Sequence, residues 1–337
     1  MEFSAPTIAQ VLATWSIEPI TMLLVLLAGA LYGWGVVRVR ARHPRRPWPL
    51  ARAASFYGGL VVIVVALQSA IAVYDDAFFW IHMIQHLMLI MIAPVLLILG
   101  RPLILSLHAT RNPWHTRIKR VLRSRVVTAL TCPLVAVPAY AGIVVFTHLT
   151  SFNTLSIQNP AVDAAEEVAY LVVGYLYLLS GFGDEPIRWR LSRPIKMVII
   201  LFSMPIDTFT GVALMMTTAP PWPAYADNYP GWGPDLLTDV HWGGAIMWVG
   251  GDAIMMVFII IAAIPWVRDI GGSGGRIGWV EEARRQNVVR YQQATTGGGD
   301  TPLSRRLDDD DAALDAYNAW LARMAERDAS RASGRDG

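Results

Sequence analysis

Charge is what this sequence has least of. Of its 337 residues only 16% are Asp, Glu, Lys or Arg, while 54% are hydrophobic; a soluble domain carries about 25% charged residues. The deficit is uneven. Long uncharged stretches such as 77–100, 126–162 and 208–226 alternate with short segments crowded with arginine. That pattern excludes an ordinary soluble protein and reads as a multi-pass membrane protein. The lone cysteine, Cys132, excludes an intramolecular disulfide and the paired-thiol motifs of redox proteins and thiol metallochaperones. The first seventeen residues hold no Lys or Arg and no short apolar core, so no cleavable signal is expected. No serine or cysteine nucleophile signature is present, so no catalytic residues and no enzyme are expected. Nor is a nucleic-acid partner.

What is there reads as an all-α bundle in the lipid bilayer. Seven spans are expected, at about 18–37, 54–74, 80–100, 126–148, 161–181, 196–217 and 240–264, each near the ~20 apolar residues that a bilayer core requires. The connections 38–52, 101–125 and 184–196 are rich in Arg and Lys. The connections 75–79, 149–160 and 218–239, and the N-terminus, contain neither. The positive-inside rule therefore puts the N-terminus outside and the C-terminus in the cytoplasm. Residues 1–266 form the membrane domain and 267–337 a cytoplasmic tail, with helices expected at 277–293 and 308–328. The outer loop 218–239 holds many aromatics and prolines, which suit either an interfacial lid in the headgroups or a docking surface.

The span 80–100 lacks Lys, Arg, Asp and Glu, yet carries His82, Gln85 and His86 in its first two turns. Four residues apart, the two imidazoles share a helix face, about 6 Å apart at Cβ. An imidazole inside an apolar span is costly unless paired, metallated or wet, and so marks a functional site. Topology puts His148 and His241 at the same outer side. The carboxylates Asp75, Asp76, Asp163, Glu166, Glu167 and Asp239 gather there too, with no Lys or Arg to neutralise them. Imidazole, carboxylate and thioether together suit a transition metal, with Met215 and Met247 as further candidate ligands and methionine sulfur favouring Cu(I). Ordinary packing also accounts for methionines in an apolar bundle. Two acids lie deeper, Asp207 and Asp252, at matched depth. They suit either a proton or ion relay or carboxyls hydrogen-bonded to Ser203, Thr208 or Thr210. Gly250 and Gly251 would permit close helix approach there.

The segment His82-Met83-Ile84-Gln85-His86, followed by Ala93-Pro94 and Leu99-Gly100-Arg101-Pro102, closely resembles CtaG-type cytochrome c oxidase assembly factors of Gram-positive bacteria. Asn159-Pro160 with Glu166, Asp239 with Gly243-Gly244 and Met247-Trp248, and His148 at the end of its span extend the resemblance across residues 18–266. Tyr317-Asn318-Ala319-Trp320-Leu321 resembles the tail of actinobacterial members. The resemblance implies a non-enzymatic factor that helps copper reach oxidase subunit I, with His82, His86, His148, Glu166, Asp239 and His241 as family positions. Gln85, Asp75, Asp76, Asp163 and Glu167 are second-rank candidates. Asp163 and Glu167 stand where the resemblance leads one to expect histidines, and such hard oxygen ligands suit Cu(I) poorly. A copper or cation transporter remains open, with Asp207 and Asp252 as coupling groups, though no inverted repeat is visible. So does a haem-binding redox protein, though His86 has no evident axial partner at matched depth. A zinc hydrolase built on the His and acid cluster lacks a supporting signature.

Overall fold

The computed structural model describes residues 6–44, 47–182, 185, 186, 188, 189 and 191–271. The tail helices expected at 277–293 and 308–328 lie outside the described residues. Contacts divide the chain into one compact unit over 1–262 and a second over 263–337. The described part of the first unit is helical apart from its turns and one isolated bridge between Trp15 and Ser69.

In chain order the helices are α1 (Ile8–Ala13), α2 (Pro19–Arg42), α3 (Leu50–Gln68), α4 (Ala70–Tyr74), α5 (Phe79–Leu87), α6 (Ala93–Leu99), α7 (Pro102–Ala109), α8 (Trp114–Leu122) and α9 (Arg125–Leu130). There follow α10 (Pro133–Leu149), α11 (Phe152–Gln158), α12 (Pro160–Phe182), α13 (Arg193–Leu201), α14 (Met204–Met215), α15 (Ala224–Asn228), α16 (Leu236–Ala245) and α17 (Gly251–Gly271). Among the described residues, five helical segments are long and apolar enough to cross a membrane: Pro19–Arg42, Leu50–Gln68, Phe79–Ala109, Pro194–Met215 and Leu236–Ile264. The pair α10 and α11, bent by 75°, makes a sixth if counted as one. The expected fifth span coincides with α12, whose opening turns carry Asp163, Glu166 and Glu167. The expected fourth span is not continuous. Thr131 and Cys132 break it, and α10 starts afresh at Pro133, a residue suited to a first helical turn. Along α2, Leu23, Leu24, Leu26, Leu27 and Leu31 are exposed, as befits a lipid-facing surface.

Proline and glycine set the irregularities that position the interior. Pro94 lacks the N–H that would bond the Ile90 carbonyl. The helix widens just before it into a π turn, Met88–Ile92, where Ala93 N–H bonds back to Met88. Gly174 of α12 lies directly against the Ile90 carbonyl, where a Cβ would collide. A second π turn, Ile246–Gly250, joins α16 to α17. The close approach expected at Gly250 and Gly251 occurs one to two turns earlier instead. A Cβ on Gly211 would fall 2.6 Å from the Gly244 carbonyl oxygen, and one on Gly244 2.7 Å from that of Gly211. At Gly250 and Gly251 the nearest atoms are side chains at ordinary distances. Gly244→Val is therefore expected to destabilise the protein by about 3 kcal/mol or more, because backbone cannot yield as a rotamer can. Thermal unfolding in detergent checks this, with Gly250→Ala as the near-neutral comparison.

Candidate metal centre

Local sequence explains how each side chain reaches the site. Asn159-Pro160 opens α12: Asn159 Oδ1 accepts Ala161 N–H at 3.0 Å, and Pro160 takes a position that needs no donor. Asp235 caps α16, accepting Thr238 N–H at 3.2 Å and its hydroxyl at 2.6 Å. His148 lies in the last turn of α10, just before the bend into α11.

The histidines that converge are His82, His86 and His148. Each offers a ring nitrogen within 4.8 Å of those of the other two, and all three are buried. Some point then lies within about 2.8 Å of all three nitrogens, against ~2.0 Å for a metal–imidazole bond. Closing the rings by less than about 1 Å would therefore complete a three-nitrogen site. Two ring nitrogens stand out. His148 Nδ1 lies 2.9 Å from the Val144 carbonyl, which can only accept, so Nδ1 carries the proton and Nε2 a lone pair. That Nε2 is buried with no partner, and so is His86 Nδ1. A buried, unmet polar atom costs about 1–3 kcal/mol. Two in one cluster of imidazoles are the donor set that a bound metal would satisfy, so the residues fit a metal.

The surroundings hold the rings in place. Tyr170 stacks on His86, with ring centroids 3.8 Å apart and an interplanar angle of 22°. Its hydroxyl reaches Thr147 Oγ1 at 2.6 Å and His148 Nδ1 at 3.3 Å. Asn153 Nδ2 lies 3.4 Å from His82 Nε2. Glu166 accepts Ser156 Oγ at 2.6 Å through Oε2 and turns Oε1 towards His86 Nε2 at 3.7 Å. Phe79 lies beside His82 and His148, and Trp222 lies against Phe79 at 4.6 Å. Trp222 donates to the Thr150 carbonyl at 3.0 Å. The aromatic loop thus sends Trp222 and Tyr225 into the protein interior, each no more than 3% exposed, where both rings pack near Phe79.

The other expected residues go to different places. Asp239 faces the start of α5, accepting Phe79 N–H at 2.8 Å and Trp80 N–H at 3.0 Å. His241, two residues on, points elsewhere because that spacing turns about 200° around a helix; its Nε2 bonds the Thr217 carbonyl at 3.0 Å. Gln85 Nε2 donates to Asp75 at 2.7 Å and lies 3.3 Å from Glu167 Oε1. So α5 meets α12 twice, Gln85 with Glu167 and His86 with Glu166. Burial, then the neighbouring charge of Asp76, pushes the Asp75 carboxyl well above the usual carboxylate range. Asp76 is exposed, and Asp163 is 3.5 Å from Ser156 Oγ. Asp207 accepts the Tyr140 hydroxyl at 3.0 and 3.1 Å; Asp252 accepts Thr208 Oγ1 at 2.9 Å. Met215 is 37% exposed. Met247 joins Met83, Met91, His86, His148, Tyr140 and Asp207 around a cavity of about 20 Å³, room for about one water and none for a porphyrin.

Asn153, Ser156, Thr147, Tyr170 and Phe79 were not among the expected site residues. Only Tyr170 carries a local signal, lying one turn beyond Glu166 on the same face of α12.

A model of the family described as cytochrome c oxidase caa3 assembly factor matches residues 30–269. The chain is 28% identical over 277 residues to uncharacterized proteins of Mycobacterium bovis and Mycobacterium tuberculosis, and 29% identical to one of Mycobacterium leprae. Each match covers 78% of this chain and 41% of the relative, so the chain spans about two fifths of those proteins. No solved structure matches it.

Proposed function

The chain belongs to the cytochrome c oxidase caa3 assembly factor family, and from that premise we propose that it binds Cu(I) and passes it to oxidase subunit I. In this reading His82, His86 and His148 hold the ion, Glu166 supplies a nearby negative charge, and no reaction is catalysed. The observation that carries the proposal is the pair of unpartnered buried nitrogens, His86 Nδ1 and His148 Nε2, within a triad of metal-binding dimensions. Imidazole suits copper among the transition metals, and an oxidase is a copper client. Asp239 and His241 stand outside the coordination sphere, the first holding the start of α5 and the second the segment after α14.

The proposed setting is a bacterial plasma membrane crossed seven times. The five apolar segments, the bent pair and α12 supply the crossings, and the arginine-rich connections put the N-terminus outside. The triad then lies towards the extracytoplasmic face, beneath the aromatic loop.

The test is complementation. In cells lacking this protein, a His86→Ala/His148→Ala variant is expected to restore less than about a tenth of the wild-type oxidase turnover, since second-shell changes alone commonly cost 10–100-fold in metal affinity. Excess copper in the medium should partly restore it. Full turnover from the double variant in copper-limited medium would refute the delivery role.

A further inference from the structure

At the basic end of α2 the structure contains a second candidate site, unrelated to the histidines. Trp34, Val37, Arg38, Ala41 and Arg42 of α2, with Arg111 beyond α7, line a cavity of about 360 Å³. Its lining holds three guanidinium groups and no carboxylate. Arg42 is fixed in place: its Nη1 donates to the carbonyls of Ala109 at 2.7 Å and His108 at 3.3 Å. Its Nη2 is buried and has no hydrogen-bond partner. The Arg38 guanidinium lies 5.4 Å from the centre of the Trp34 ring, which holds it beside the cavity. Like charges converging on one space repel unless an anion joins them. An arginine with an unmet, fixed donor is suited to a phosphate oxygen.

The lining also has an apolar, exposed part. Trp34 is 50% exposed and Val37 68% exposed, at the end of a helix apolar enough to span a bilayer. A free phosphate ion would use the guanidiniums but has no use for this strip. A molecule with a phosphodiester head and acyl chains would use both. We propose that this cavity is a binding site for an anionic phospholipid, its headgroup phosphate held by Arg38, Arg42 and Arg111 and its chains lying along Trp34 and Val37. Basic pockets next to membrane helices commonly take such headgroups.

The experiment is native mass spectrometry of the full chain, exchanged from detergent with phosphatidylglycerol or with phosphatidylcholine, comparing wild type with Arg38→Gln/Arg111→Gln. That double variant leaves Arg42 and its carbonyl bonds intact. One retained phosphatidylglycerol per chain is expected in the wild type. Its affinity should fall about thirtyfold in the variant, roughly 1 kcal/mol for each arginine lost. Phosphatidylcholine should not replace it, and millimolar inorganic phosphate should not displace it. Should the double variant not fold, Arg111→Gln alone, at an exposed side chain, is expected to weaken retention about fivefold. Equal retention in variant and wild type would overturn the proposal. So would full displacement by inorganic phosphate, which would make the cavity a free-anion site.

Discussion

Replacing His86 with alanine is expected to abolish stoichiometric Cu(I) binding by the purified protein, lowering affinity at least a hundredfold. His86 sits at the hub of the triad. Its ring centroid lies 4.0 Å from that of His82 and 5.5 Å from that of His148. Loss of one of three nitrogen donors leaves a two-coordinate remnant at a geometry set for three. It also removes the ring that Tyr170 stacks upon and that faces Glu166. His148→Ala should act similarly, because Thr147, Tyr170 and the Val144 carbonyl orient its ring with Nε2 free. His241→Ala is the decisive contrast, since its ring bonds the Thr217 carbonyl outside the triad. Metal analysis after anaerobic loading and desalting checks all three. Copper lost equally from the His241 variant would mean that the binding site is not this triad.

Asp239→Ala is expected to destabilise the protein by about 3–4 kcal/mol, with copper stoichiometry per folded molecule unchanged. Both carboxylate oxygens accept backbone N–H groups at the first turn of α5, where a negative charge also suits the helix dipole. Alanine would leave one buried and one part-buried donor unmet, at about 1–3 kcal/mol each. Asp239→Asn keeps one acceptor and should lose about half as much. Thermal unfolding paired with metal analysis separates the two roles. A ligand role would show copper loss in Asp239→Asn with little change in unfolding temperature.

Much of this was readable along the chain. The uncharged stretches and arginine clusters marked a membrane bundle, and the i, i+4 spacing of His82 and His86 located one edge of the triad. Depth alone could not finish the site, because it ignores rotation about the helix axis. Asp239 and His241 share a depth yet point to different neighbours, and Glu166 and Glu167 divide between His86 and Gln85. His148 looked like an interfacial residue from its place at a span end. It is buried: the chain bends by 75° just after it, Phe79 and Tyr170 pack against its ring, and Trp222 bonds the Thr150 carbonyl at the bend. Asn153 and Ser156 reach the site only through that bend, which no local pattern announces. Nor does the close approach of Gly211 and Gly244 follow from either glycine alone; it needs two helices in register.

X-ray absorption spectroscopy at the copper edge, on wild-type protein loaded anaerobically with Cu(I), tests the central claim most directly. The triad predicts a shell of imidazole nitrogens at about 2.0 Å with no sulfur shell. A shell dominated by sulfur near ~2.3 Å, unchanged in the His86→Ala variant, would contradict it and place the ion among the methionines instead.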